Sequence, residues 1–375
     1  MKNENKNELK YEDLIKIHYI KSYQELLNII TGKSNFNDLR KNFIFRGLKK
    51  ENYKLIPSSL RKNDEGNFII TDFIIGSEFL YNKENPIKIE NKDGFCTSKV
   101  DKNDKNIKSD KNPEKTIYSS QELQFRRETY VLLQFLNYTD KIGLKIPANE
   151  NVRKWLHNPS NYKYDYKTSW PNSDFFEIIS LAQHYGIPTR ALDWTYDYKI
   201  AIYFAVEDIL KNEKEDCVLW AFNYKLFEDH YQEENYEKHK LIIYRPEYNS
   251  NPNLSSQKGL FTFWIIFDDE NKDDSDNNDF TDETPFEEII INYLIDNQIS
   301  VEKGIVKING YNQIYLSEND VIFHKFIIPG NLKLEIINNL YLDGYSKEYI
   351  YPSYNGVVNS IKDRAIIDNM INKDK

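Results

Sequence analysis

Apolar positions recur along this chain at two spacings, and the spacing marks the elements. Leu14, Ile15, Ile17, Ile20, Leu26, Leu27 and Ile30 space as one face of a helix, predicted over residues 11–31. Phe43, Ile44 and Phe45 are an apolar run of strand type, predicted over 42–46 and ending on Arg46. A short helix is predicted at 68–81. A longer one at 119–138 has Phe125, Leu132, Leu133 and Leu136 on one face and leaves Arg126, Arg127 and Glu128 to solvent. Residues 139–172 read as a long connection carrying Trp155 and Trp170. Downstream, strands are predicted at 218–222, 241–244, 260–267, 314–315 and 321–328, with helices at 286–295 and 332–340. Pro352 and Gly356 precede a final helix. Helices and strands mix without a regular βαβ alternation. The expected fold is therefore α+β, one domain of mixed sheet flanked by helices, not a doubly wound parallel sheet. That domain is expected at 41–360, after an N-terminal helical segment at 1–40 and before a C-terminal tail at 361–375.

The densest patterning lies between Asp174 and Val206. Asp174 and Glu177 have the spacing of a capping box, and Gly186 followed by Pro188 reads as a helix stop. Phe175, Ile178, Ile179, Leu181 and Ala182 would bury one face, and the last turn carries Gln183, His184 and Tyr185. A second helix is predicted at 197–210, with Ile200, Ala201, Phe204 and Ala205 inward. Thr189 to Thr195 reads as a short link between the two helices. It holds Arg190, Asp193 and Trp194 where a connector normally uses Gly, Ser or Asn. Two readings stand: an Arg190–Asp193 ion pair that pins the helices, or a set of groups lining a pocket. His184 has two readings as well, bonding the last helix carbonyls or serving as an acid/base.

Arg46 closes a buried strand, and strand alternation puts it on the side of Ile44 and opposite Phe45. A charge there needs a partner. A carboxylate such as Asp193 would serve, and so would an anionic ligand held by the guanidinium fork. Gly47 then allows a turn or a close approach.

Charge and composition narrow the classes. The net charge of -9 is local, because residues 268–283 alone hold nine acids against one lysine. No basic stripe argues for a nucleic-acid partner. A polar, Lys/Asp/Asn-rich insert is expected near 91–117 and the acidic one near 268–284. The two cysteines, Cys96 and Cys217, suggest neither a disulfide framework nor a metal site. No apolar run approaches the length of a membrane span, so a cytoplasmic protein without a membrane partner is expected. Phosphate-loop, dinucleotide-fingerprint, H-E-x-x-H and nucleophile-elbow motifs are all missing, and the six histidines show no i, i+4 pair. No metal ligand is assigned.

The string from Leu181 through Gln183-His184-Tyr185-Gly186, Thr189-Arg190 and Asp193-Trp194-Thr195 to Val206 resembles the hallmark of the bacterial FRG domain family. That family is named for an F/Y-R-G tripeptide, present here as Phe45-Arg46-Gly47. Pro57-Ser58-Ser59-Leu60-Arg61 resembles its early segment, and Gln257, Gly259, Phe261 and Thr262 match its Q-x-G-x-F-T element. Ala191 stands where the family usually has a second Leu. The resemblance implies an FRG domain with a site built from these motifs.

A more remote similarity is to ADP-ribosyltransferases of the Arg-Ser-Glu type. Phe45-Arg46-Gly47 looks like their first element. Asp193-Trp194-Thr195 leading into Ala201, Phe204 and Ala205 looks like their second. Gln257-x-Gly259 stands in the position of their third, with Gly259 in place of the catalytic Glu, so that Asp193 or Glu207 would have to supply the carboxylate. The resemblance implies NAD as substrate, in transfer to an unknown protein target or in hydrolysis, in conflict between bacteria and phage. Catalytic roles would fall to His184, Asp193 and Gln257. Substrate contacts would fall to Arg46, Gly47, Gln183, Tyr185, Arg190, Trp194, Thr195, Gly259 and Phe261. The alternatives are a non-catalytic nucleotide- or nucleic-acid-sensing module and a structural or partner-binding domain.

Overall fold

The computed structural model describes residues 10–33, 37–74, 120–147, 149–157, 170–211, 214–228, 241–248, 252–266, 282–302, 305–308, 314–317 and 320–373. The insert expected near 91–117, Cys96 and most of the acidic insert lie outside these residues, as does the second half of the helix predicted at 68–81. Residues Ile69–Phe73 of that stretch form a 3-10 turn.

The chain opens with α1 (Tyr11–Leu14), β1 (Ile15–Tyr19) and α2 (Tyr23–Ile30). The single helix expected over 11–31 is thus broken by a strand. Tertiary pairing overrides the helical spacing: β1 adds to the edge of the main sheet from Ile15↔Phe323 to Tyr19↔Ile327. Helix then restarts because Ser22 accepts a hydrogen bond from the Glu25 amide and Glu25 accepts one from the Lys21 amide. β2 (Ile44–Leu48) follows, then α3 (Ser120–Lys141) and α4 (Glu150–His157). α5 (Phe176–His184), β3 (Leu192–Thr195) and α6 (Tyr198–Val206) form the central unit, followed by β4 (Cys217–Phe222) and α7 (Lys225–Glu228). β5 (Leu241–Tyr244), α8 (Pro252–Ser256), β6 (Gly259–Trp264) and α9 (Phe286–Asp296) come next. β7 (Gln298–Glu302), β8 (Ile305–Ile308) and β9 (Ile314–Ser317) make a small separate antiparallel sheet, of which only residues 314–315 were expected as strand. β10 (Phe323–Ile328), α10 (Lys333–Leu342), α11 (Lys347–Ile350) and α12 (Tyr354–Lys373) close the chain. The expected 361–375 tail is helical to Lys373, and Ile367 is fully buried in a core cluster.

The main sheet has seven strands in the order β1-β10-β4-β2-β3-β6-β5. β1 and β10 run parallel and the other neighbours antiparallel, so the sheet is mixed and the fold is α+β. Alternation along β2 sends Ile44 to one face and Phe45 to the other, both with no exposed surface. Phe45 joins a core under α2, α6 and α10 with Leu219, Ala221 and Phe326. Ile44 joins the opposite core under α9 with Trp194, Trp220, Phe222 and Phe323. A third cluster packs α3, α4 and α5 around Trp170, Phe175 and Phe263.

One seam in this sheet is thin. β2 pairs with β4 over five residues and β3 pairs with β6 over four, but β2 meets β3 only at Phe45↔Thr195. Past that pair the two central strands part.

Candidate functional site

Residues 189–195, expected as a link between helices, end instead in a central strand. Leu192 and Trp194 bury on one sheet face while the backbone of β3 pairs with β6. Four residues are too few for periodicity to distinguish strand from loop. α5 ends as expected: Gly186 takes φ +90°, and the Gly186 and Ile187 amides bond back to Gln183 and Ala182. Its start differs. Asn172, not Asp174, caps the entry turn, and Asp174 instead accepts hydrogen bonds from Asn149 and Asn151. α6 is capped by Asp197, which accepts a hydrogen bond from the Lys199 amide.

Arg46 sits where β2 and β3 separate. Its Nη1 donates to the Asp193 carbonyl oxygen at 2.5 Å and pairs with Asp193 Oδ1 at 2.6 Å. The guanidinium thus replaces ladder hydrogen bonds that the diverging strands do not make. The pair is unequal in exposure, 9% for the Arg46 side chain and 53% for Asp193. Arg46 Nε is buried and has no hydrogen-bond partner among the described residues. Burial raises the Asp193 carboxyl, but the charge and hydrogen bond of Arg46 outweigh it and hold Asp193 below the usual carboxylate range. Asp193 is therefore ionised at neutral pH.

Gln183 continues the network. Its amide nitrogen donates to Asp193 Oδ1 at 3.4 Å, and its amide oxygen accepts from Ser58 Oγ at 3.0 Å and Thr189 Oγ1 at 2.8 Å. His184, one residue on, has its pKa lowered by burial despite the opposing pull of Asp193, so its ring is neutral near pH 7. Among the described residues the His184 ring makes no hydrogen bond, and the reading in which it holds the last helix carbonyls is not observed. The third wall comes from the α8–β6 turn. Thr195 Oγ1 donates to the Gln257 carbonyl at 2.7 Å, and the Gln257 amide nitrogen reaches the Ile350 carbonyl at 3.4 Å. Lys258 adopts φ +47° there, and its ammonium pairs with Asp197 at 2.7 Å.

These walls enclose a cavity of about 350 Å³. Arg46, Gly47, Gln183, His184, Asp193, Trp194, Thr195, Gln257, Gly259 and Phe261 all line it. Residues from four stretches of sequence thus share one hollow. Two expected members do not. Tyr185 is 62% exposed and does not line the cavity. Arg190 is buried on the far side of α5. Its Nε bonds Glu128 Oε2 at 2.7 Å, and that oxygen also accepts from Trp170 Nε1 at 2.8 Å. The expected Arg190–Asp193 pair is replaced by two separate pairs, Arg190–Glu128 and Arg46–Asp193. Glu128 and Arg127, expected on the surface, are buried at 6% and 5% exposure. Glu207, the alternative carboxylate, does not line the cavity and pairs with Lys49 at 2.9 Å. Asp193 is the only carboxylate among the described lining residues.

Residues 41–215 match the family model of the FRG domain. That stretch of the chain is similar to the FRG domain. The matched stretch contains Arg46 and the whole α5–β3–α6 unit, while Gln257, Gly259 and Phe261 of the cavity wall lie beyond it. No curated protein and no solved structure matches the chain.

The FRG tripeptide has a packing explanation in this structure. A Cβ built on Gly47 would overlap the Ala201 carbonyl oxygen of α6, so the glycine lets the helix lie directly on the strand that carries Arg46. Arg61 belongs to the wall, although the sequence does not single it out. It sits at the end of the Pro57–Arg61 segment, and its Nε donates to the Ile56 carbonyl at 2.8 Å. Lys49, Tyr53, Phe204 and Tyr351 are further lining residues that the sequence leaves unmarked. Residue type signals none of them, because each reaches the cavity from an element whose placement depends on the sheet order. Chemically, the wall offers two guanidiniums, one ionised carboxylate, one neutral imidazole, amides, and aromatic and aliphatic surface. Such a cavity suits a polar ligand with a negative charge and a planar apolar part.

Proposed function

We propose that the FRG domain of this chain is a nucleotide-handling enzyme that cleaves the nicotinamide–ribose bond of NAD, by ADP-ribosyl transfer to a protein target or by hydrolysis. The observation that carries this reading is the ionised Asp193, held by a buried Arg46 at the split between two central strands and facing a cavity shared with His184. Loss of nicotinamide from NAD leaves positive charge on the ribose, and a fixed carboxylate in a partly water-excluded site favours that charge. The Asp193 carboxylate stands in this role where Gly259 replaces the glutamate of the transferases the sequence resembles. As C1′ gives up its bond to nicotinamide, it gains one to the incoming oxygen of water or target. His184, neutral near pH 7, accepts the proton that oxygen releases. The volume of about 350 Å³ lies at the small end of ligand sites, enough to enclose one half of a dinucleotide. A bacterial cytoplasm, and conflict with phage, is the setting we propose for such an activity.

A second reading is favoured by one specific feature. Asp193 is already engaged by Arg46 and Gln183, and no second carboxylate lines the described cavity. The same pocket would then hold a nucleotide without converting it. Incubation with NAD labelled in the nicotinamide ring separates the two. The enzyme reading expects released nicotinamide that Asp193→Asn abolishes while the variant stays folded. Thermal stabilisation by NAD with no release would move the assignment to a sensor, and neither effect would remove both readings.

A further inference from the structure

A buried arginine such as Arg46 is the natural residue to suspect of holding a ligand phosphate, but its geometry commits it elsewhere. Nη1 is occupied twice, by the carbonyl and the carboxylate of the same residue, Asp193. Its Nε is buried and has no hydrogen-bond partner among the described residues. The side chain is 9% exposed, and among the described residues Nη2 alone is left open, one donor where a two-point phosphate contact needs two. It acts on Asp193.

Arg61 is arranged the other way. Its Nε is tied to the Ile56 carbonyl at 2.8 Å, which fixes the plane of the guanidinium. Among the described residues neither Nη1 nor Nη2 has a hydrogen-bond partner, and neither is a sealed atom like Arg46 Nε. The side chain lines the cavity and is close enough to Arg46, Asp193 and Tyr53 to feel the charge of each. Two guanidiniums therefore share one wall with a single carboxylate, which the first of them already uses. Burial and the neighbouring Arg46 charge both disfavour the protonated Arg61, whose pKa falls to about 10, still cationic at neutral pH. A cation with no ion-pair partner of its own among the described residues, a fixed plane and two open donor nitrogens is the arrangement that takes a phosphate through two parallel hydrogen bonds.

We infer that the two arginines of the cavity have different roles, in which Arg46 positions Asp193 and Arg61 binds a phosphate group of the ligand. The substrate class that follows is a phosphate-bearing nucleotide, in which an uncharged nucleoside lacks the main anchoring group. The inference deepens the proposed function by naming the anchoring residue, and it rests on the same cavity. It does not need the bond cleavage, so the two can fail separately.

The probes are inorganic pyrophosphate, ADP-ribose and adenosine, read by thermal shift and calorimetry on the full chain. Wild type is expected to be stabilised by pyrophosphate and ADP-ribose and not by adenosine, with less stabilisation at high salt. Arg61→Gln removes the charge and is expected to weaken ADP-ribose about 10- to 100-fold, the range for losing charge-assisted hydrogen bonds. Arg61→Lys keeps the charge without the fork and should fall between. The melting temperature of each unliganded variant identifies any that fails to fold. If Arg61→Gln does so, Arg61→Lys carries the comparison, with roughly a threefold weakening or more expected from loss of the fork. Equal ADP-ribose affinity in wild type and the folded Arg61 variants would overturn the inference, as would a wild type that no phosphate stabilises. Stabilisation by pyrophosphate that depends on Arg61, with no nicotinamide released from NAD, would uphold the phosphate site and reject the enzyme reading.

Discussion

Replacing Gly47 with alanine is the sharpest probe of how the site is built. The added Cβ would overlap the Ala201 carbonyl oxygen and come within 2.7 Å of the Ala205 amide nitrogen. Those two atoms are the acceptor and donor one turn apart within α6, so the methyl group would push into the helix's own hydrogen-bond ladder. No rotamer can relieve a clash with backbone. α6 must move off β2 by about 1 Å, a displacement on the scale of an ordinary van der Waals gap. Overpacking of this kind costs about 1–3 kcal/mol, and a weakened buried backbone hydrogen bond adds roughly another 1 kcal/mol. A loss of about 2–4 kcal/mol is expected, read as a lower midpoint in urea with an unchanged slope. Two other glycines serve as controls. At Gly259 the nearest atom is the end of the Leu254 side chain, at 2.6 Å, which can rotate away, so Gly259→Ala should cost less than about 1 kcal/mol. At Gly186 there is open space but φ is +90°, and the cost should be the conformational one, about 1–2 kcal/mol. A Gly47→Ala protein within about 0.5 kcal/mol of wild type, or a Gly259→Ala protein as damaged as it, would refute the view that close helix–strand approach explains the FRG glycine.

The Glu128–Arg190 pair is buried on both sides, at 4% and 6% side-chain exposure. Glu128→Ala should therefore cost about 3–5 kcal/mol by taking the carboxylate from a buried guanidinium, while adding Arg190→Met should recover much of it; denaturation of the single and double variants checks this. His18 and His324 stack at 5.2 Å between ring centroids, with a 2.9 Å contact between their nitrogens. Burial lowers both, to about 4 and about 3, with Lys16 adding to the effect. A histidine depressed on folding contributes stability that is present above its unfolded pKa of about 6.5 and lost as pH falls toward the folded value. Unfolding free energy measured between roughly pH 7 and pH 4.5 should fall more steeply in wild type than in His324→Gln, and parallel slopes would contradict the assignment.

The local signals in this sequence are reliable where one element's own residues decide its shape. Gly186 and Pro188 end α5 because a left-handed residue and a missing amide act within one turn, wherever the helix is put. A strand through Arg46 and the opposed faces of Ile44 and Phe45 follow from an apolar run and a period of two, although the strand expected to end at Arg46 continues to Leu48. The FRG motifs are readable in the same way, as strings. Partner choice is not. Arg190 and Asp193 are three residues apart and of opposite charge, yet each pairs elsewhere, because β3 turns Asp193 toward β2 while Arg190 faces α3. β1 carries helical spacing and is a strand, since Phe323 to Ile327 on β10 offer a ladder that sequence spacing cannot register. Arg61 has the local signature of a loop residue and becomes a cavity wall. Hydrophobic period and capping act over a few residues along the chain. Charge pairing and cavity formation act across strand order, which is set by contacts between residues far apart in sequence, and so only the assembled sheet decides them.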